Sequence, residues 1–232
     1  MQAFDLATVL KPEFTAMILA GIRMTFAVFV SSWVLALAMA MVLLTVRLMP
    51  SVIAQRVVAG YVSYHRNVPT LVQLMFWYFG ISTLLPDSTQ EWLADNNGEG
   101  LFAIIALGLC QAAFFSEDLR SGLRAVAPGQ AEAARALGHS YVSAMRYVIL
   151  PQAVRNAIPA LVNHTVSLFK NTSLAMAIGV TELTHVVREV ESRSFRTFEI
   201  YAIGTAFYLA VSLLLMAAGA VLARRYRLAA AR

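Results

Sequence analysis

Charge is what this chain has least of. Only 13% of its 232 residues are Asp, Glu, Lys or Arg, where an ordinary soluble domain carries about 25%. Apolar residues make up 59%, and the mean hydropathy is +0.67. These values exclude a soluble globular protein and indicate an integral membrane protein of one domain's length. There is one cysteine, Cys110, so no intrachain disulfide forms and cysteine usage says nothing about redox compartment. No Gly-Lys pair occurs anywhere, which excludes a Walker-type phosphate loop. The four histidines, His65, His139, His164 and His185, show no paired spacing for a metal, and no nucleophile–base set is visible. No basic stretch precedes a short apolar core in Met1 to Glu13, so no cleavable signal peptide is expected. The net charge of +5 comes from arginines that flank apolar runs rather than from a patch shared with aromatics. Nucleic acid is therefore not an expected partner.

What is present is a set of long uncharged runs. The expected spans are about 24–46, 61–85, 100–120, 156–180 and 200–223, each near the length needed to cross ~30 Å of hydrocarbon. The second is interrupted by His65-Arg66-Asn67 and Pro69, and the fourth carries Pro159, Asn163, His164 and Lys170. Residues 1–23 are mixed, with Phe14, Met17, Ile18 and Ile22 on one face of an expected short interfacial helix. Residues 181–199 read as another interfacial helix plus a loop. Segments 47–56, 117–155 and 224–232 hold 11 basic and three acidic residues, whereas 1–23, 86–99 and 182–199 hold five basic and ten acidic. Cytoplasmic loops are enriched in Lys and Arg. This predicts an outside N-terminus, a cytoplasmic tail over 224–232, and five spans, or six if the segment before Arg23 also inserts.

One polar stretch, 128–151, stands apart from the apolar runs. Pro128 to Ala136 reads as a short helix, and Gly138 stands where it ends, in the left-handed position that suits glycine. Ser140 is placed to cap a second short helix, with Pro151 marking its end. Two short helices meeting at a glycine make a small-residue knob that another protein can approach closely, or else an Ala-rich connector that packs on its own chain.

Within the membrane, Arg66, Glu117 and Lys170 are the notable ionisable groups, since a charge at mid-bilayer costs about 2.5–3.5 kcal/mol on insertion scales. Either they face a water-filled path or they reach headgroups along their stems. Asn163, Asn171, Thr172 and Ser173 accompany Lys170 on the same segment and need partners in hydrocarbon. Gln73 and Gln111 are neutral and line a path or bond between helices. Pro69 and Pro159 are expected to kink their helices.

Glu132-Ala133-Ala134, Gly138 and Val148-x-Leu150-Pro151 resemble the EAA loop of ABC importer permeases, with Val148 in place of a usual Ile. The resemblance extends further. Arg66-Asn67-Val68-Pro69-Thr70-Leu71-Val72-Gln73, Phe114 to Gly122, Pro151-Gln152-Ala153-Val154-Arg155 with Pro159 to Asn163, and Lys170-Asn171-Thr172-Ser173-Leu174 are similar to stretches of the polar amino acid permeases. Arg-Asn-Val-Pro, Phe76-Trp77-Tyr78 and the Lys-Asn pair look most like the glutamate/aspartate branch.

The resemblance implies an all-α integral membrane fold of the ABC type I importer class, with the transmembrane domain over 20–223, in a bacterial inner membrane. Its coupling residues would be Glu132, Ala133, Ala134, Gly138, Leu150 and Pro151. Arg66, Gln73, Glu117, Asn163, Lys170, Asn171 and Thr172 are candidate path residues. No cofactor is expected in this chain, ATP and Mg belonging to partner ATPase subunits. Further implied partners are a periplasmic solute-binding protein, a second permease subunit and membrane lipid. The rival class is an ion-coupled carrier or channel acting alone. It wants an acidic relay deep in a span, and no Asp or Glu lies within the first, second, fourth or fifth span.

Overall fold

A computed structural model describes residues 5–225, and among them every regular element is helical. The chain runs α1 (Leu6–Val9), α2 (Pro12–Leu48), α3 (Val52–Asn67), α4 (Thr70–Met75), α5 (Asp87–Asp95), α6 (Gly98–Arg124), α7 (Pro128–Ala136), α8 (Tyr141–Ala144), α9 (Leu150–Asn171), α10 (Leu183–Ser194) and α11 (Thr197–Arg225). Three of these, α2, α6 and α11, are long and apolar enough to cross a membrane. They correspond to the first, third and fifth expected spans. The end of the expected tail, residues 226–232, lies outside the described residues, as do residues 1–4.

The first span is longer than expected. Residues 12–23 do not form a separate interfacial helix, because α2 starts at Pro12 and continues unbroken through Arg23. No breaker lies between them, and the apolar face has a partner: Phe14 and Ile18 are buried, with Met17 and Ile22 beside them, against Leu183, Val186 and Val190 of α10. Gly21 permits the contact, since a Cβ there would stand 2.9 Å from the Val186 side chain.

The second span is broken rather than bent. It begins at Val52, earlier than expected, and Val68-Pro69 separates α3 from α4. The proline supplies no N–H and disfavours helix at the residue before it. The chain then passes through a π-helical turn, Phe76–Gly80, and a 3₁₀ turn, Ile81–Leu84. The apolar helix Thr70–Leu84 is shorter than the three membrane-length helices.

The fourth span starts at Leu150, and Pro151 lies in its first turn instead of ending the preceding helix. A π-helical turn, Met145–Ile149, joins α8 to α9, so the chain stays helical from Tyr141 to Ile178. The wider turn accommodates a residue that has no N–H to donate. Pro159 sits inside α9 without ending it. After Asn171 the helix tightens to 3₁₀ geometry, Thr172–Ile178, and stops at Gly179 with φ +94°.

The core lies between α2, α6 and α9. Small residues let these helices approach: Ala36 and Ala40 of α2 and Ala112 and Ala113 of α6 are fully buried in one cluster. Such residues suit bilayer interfaces, where close van der Waals packing replaces the hydrophobic effect. Phe29 and Phe169 meet edge to face at 5.4 Å, and Tyr208 of α11 lies 5.5 Å from Phe169. The Glu182 carboxylate, fully buried, caps α10 by accepting from the Thr184 and His185 N–H groups, each at 2.9 Å, and from the Tyr208 hydroxyl at 2.7 Å. Burial pushes this carboxyl up from its usual range, and those hydrogen bonds oppose the shift.

Candidate functional site

The polar knob is built as a tight helical hairpin. Ala127 is extended and Pro128 opens α7 at a position where its missing N–H costs nothing. At the other end, Gly138 has φ +85°. The His139 N–H donates to the Ala134 carbonyl at 3.1 Å and the Gly138 N–H to Arg135 at 2.9 Å, which is the Schellman pairing. The Ser140 hydroxyl caps α8 by accepting from the Ser143 N–H at 3.3 Å. Gln152 ties the knob to α9: its amide donates to Gln130 Oε1 at 3.1 Å and to the Val148 carbonyl at 2.9 Å. Ala134 is buried at the hairpin's inner side, while Glu132 and Ala133 are exposed. Leu137, Tyr141, Val142 and Tyr147 are 82%, 75%, 71% and 65% exposed. Together they form an exposed apolar patch on an otherwise polar segment. Leu150 and Pro151 are exposed at the start of α9, so the six expected coupling residues occupy one connected element.

The candidate path residues do not gather in one place. Glu117 sits at the α7 end of α6 in an ion-pair cluster, with Arg47 at 2.6 Å and Arg120 also paired to it. Arg66 lies over the Phe114 ring at 5.6 Å. Gln73 is buried and its amide is occupied locally. Oε1 meets His65 Nδ1 at 2.5 Å, and Nε2 donates to the carbonyls of Val68 at 2.7 Å and His65 at 3.1 Å. It repairs the break at Val68-Pro69. Replacing Gln73 by Leu therefore leaves buried carbonyls unpaired, at about 1–3 kcal/mol, and is expected to lower the melting temperature in detergent. Thr172 is fully buried and its hydroxyl returns to the Phe169 carbonyl at 2.7 Å. Asn171 is half-buried, while Asn163 and Lys170 are exposed.

α9 explains the division. Its sides are taken by neighbours: Ala157 and His164 face α6, Thr165 and Phe169 face α2, and Val162 and Val166 face α11. One face remains open. Gln152, Asn156, Pro159, Asn163, Ser167 and Lys170 recur on it every three or four residues. Three of these, Asn156, Pro159 and Asn163, are exposed there, while Lys170, also exposed, borders the groove between α10 and α11 at the end of the face. By contrast, the open faces of α2 and α11 carry residues such as Val30, Val34, Leu213 and Leu214. Side chains of the first kind do not face lipid tails.

The sequence reading missed one pair at the rim of this face. His164 Nδ1 lies 2.6 Å from Asp118 Oδ2, and Asp118 is buried. Phe114 lies tilted against the His164 ring, with 5.0 Å between the ring centres. A second acidic residue directly after Glu117 at the end of an apolar run was the available signal, because an ionisable group there needs a partner. Which residue supplied the partner depended on how α6 and α9 align.

These features define a helical membrane protein with an exposed hairpin between two of its long helices and one polar open face on α9. The chain belongs to the family of binding-protein-dependent transport system inner membrane components, which matches residues 17–228. It is 40% identical over 141 residues to a "Probable amino-acid permease protein" of Bacillus subtilis, covering 61% of this chain and 60% of that protein. It is 29% identical over 212 residues to the glutamate/aspartate import permease protein of Escherichia coli strain K12, covering 90% and 86%. The crystal structure of an amino acid ABC transporter with histidines superposes with a TM-score of 0.84 at 28% identity, over 97% of this chain and all of that one. The chain thus shares the all-helical transmembrane fold of the ABC type I importers.

Proposed function

We propose that this permease serves polar amino acids, with glutamate and aspartate as the preferred substrates, and works with ATPase subunits held in separate chains. The observation that carries the ATPase partnership is the apolar docking face on the Gly138 hairpin. ATP-driven closure of the ATPases presses on Glu132–Gly138, and Gln152 passes the displacement to α9. A second permease, identical or homologous, faces the open side of α9, so that Asn156, Asn163 and Ser167 line a path between the two subunits. A solute-binding protein delivers substrate on the face opposite the knob. The arginine distribution supports a reading with the N-terminus outside and the knob and C-terminus in the cytoplasm of a bacterial inner membrane.

The test is uptake into proteoliposomes holding the purified complex, with ATP inside and binding protein outside. Labelled glutamate should accumulate only with ATP, and unlabelled aspartate should compete better than a neutral or basic amino acid. Accumulation driven by an ion gradient without ATP would establish the carrier class instead. ATP-dependent uptake of another amino acid, unaffected by glutamate, would remove the acidic assignment alone.

A further inference from the structure

A groove of about 500 Å³ opens between α9, α10 and α11, and the transport reading does not use it. Its floor is apolar, with Val166, Val187, Leu209 and Met216 among its residues. Its polar groups are distinct. Lys170 lines it, and among the described residues no carboxylate lies within ion-pair distance of Lys170. Thr184, Tyr201 and Tyr208 lie near the same end. Ser212, only 9% exposed, also lines the groove, and its hydroxyl has no hydrogen-bond partner. Buried hydroxyls are normally paired, so an orphan on a cavity wall marks a place for a ligand atom.

We propose that this groove binds one anionic phospholipid, its phosphate at Lys170 and an acyl chain along α11. Three features support a lipid over another occupant. First, Tyr201 to Met216 spans about 22 Å at the helical rise, which covers one leaflet of a hydrocarbon core ~30 Å thick. Second, the groove has its cation and tyrosines at the α10 end and apolar residues toward Met216. This matches the order of headgroup and tail, with aromatic side chains at the headgroup level. Third, the wall runs into the exposed apolar face of α11, where Leu209, Leu213 and Met216 are 57%, 54% and 50% exposed. A lipid therefore enters sideways without crossing a polar barrier. An ester oxygen of the lipid supplies the acceptor that the Ser212 hydroxyl lacks.

The experiment is native mass spectrometry of the intact transporter complex, delipidated and then titrated with phosphatidylglycerol or phosphatidylcholine. One phosphatidylglycerol per copy of this chain should be retained, at least tenfold more tightly than phosphatidylcholine. Lys170→Gln should abolish the preference for the anionic lipid. Met216→Trp, which fills the groove, should release both lipids while the complex stays assembled. Equal retention of the two lipids by the wild type, or phosphatidylglycerol binding unchanged in both variants, would overturn the proposal. So would Lys170→Gln raising the KM for substrate with lipid retention unaltered, which would make Lys170 a substrate contact. Crosslinking supplies an independent readout, because Cys110 is buried. If Leu213→Cys crosslinks to a second permease in the native membrane, a protein covers the groove and the lipid assignment falls.

Discussion

Replacing Gly138 by Val is expected to abolish ATP-driven uptake while the permease stays in the membrane at its normal level. The residue stands at φ +85°, and nothing lies within 4 Å of where a Cβ would be. The penalty is conformational rather than steric crowding. A left-handed residue other than glycine costs roughly 1–2 kcal/mol, and a β-branched side chain sits at the upper end. Since 1.4 kcal/mol is a tenfold change in an equilibrium, the hairpin loses the docking-competent turn about tenfold or more. The two bonds that close the turn, from His139 to Ala134 and from Gly138 to Arg135, then break or rotate α7 against α8. Insertion does not depend on this turn, because the knob lies outside the apolar spans. Gly138→Asn provides the discriminating variant, since Asn tolerates the left-handed region, and it should keep much of the uptake. The measurements are uptake, membrane level by immunoblot and ATPase recovery in a mild-detergent pull-down. If Gly138→Val and Gly138→Asn transport equally, the turn is not part of coupling.

Gly138 was legible because its chemistry is local: glycine, a short helix before it and a cap after it decide the conformation together. The same holds for the Ser140 cap and for α2, α6 and α11, whose uncharged length speaks for itself. The rest depended on neighbours. Phe14 and Ile18 read correctly as one apolar face, but nothing nearby in sequence said that α10 would cover that face and keep residues 12–48 in one helix. Pro151 read as a helix end because its ring forbids a regular helix, and the π-helical turn before it offered another solution. Thr172 and Lys170 both read as candidate path residues of one segment. One is buried and bonded backwards, the other borders a groove, because positions two apart on a helix point to nearly opposite sides. The Asp118–His164 pair required the register of α6 against α9, which no local pattern encodes.

That register rests on Gly122, and Gly122→Ala is expected to lower both the stability of the permease and its transport. A Cβ at this position would lie against the Ala153 carbonyl oxygen, 2.8 Å from the Ala157 Cβ and 2.9 Å from the Ala157 N. All three atoms belong to α9, and two are backbone, so no side-chain rotation relieves the clash. Overpacking of a tight contact costs about 1–3 kcal/mol, and backbone displacement places this variant at the high end. The melting temperature in detergent should fall by several degrees. Transport should fall further than stability alone explains, because of where the contact sits. Gly122 lies in the last turn of α6, three residues before the chain leaves for the knob, and Ala153 lies in the first turn of α9, where it returns. The crossing therefore clamps the base of the loop that carries Gly138. Asn156, on the open face of α9, reaches the Gly122 carbonyl at 3.4 Å, which links the clamp to the proposed path. Opening it lets the knob move without moving α9. Adding Ala157→Gly removes one of the clashing groups, and the double variant should regain part of both stability and uptake. If Gly122→Ala melts as the wild type does and transports normally, α6 and α9 are looser at this crossing than the structure places them, and the mechanical link from knob to path must run through Gln152 alone.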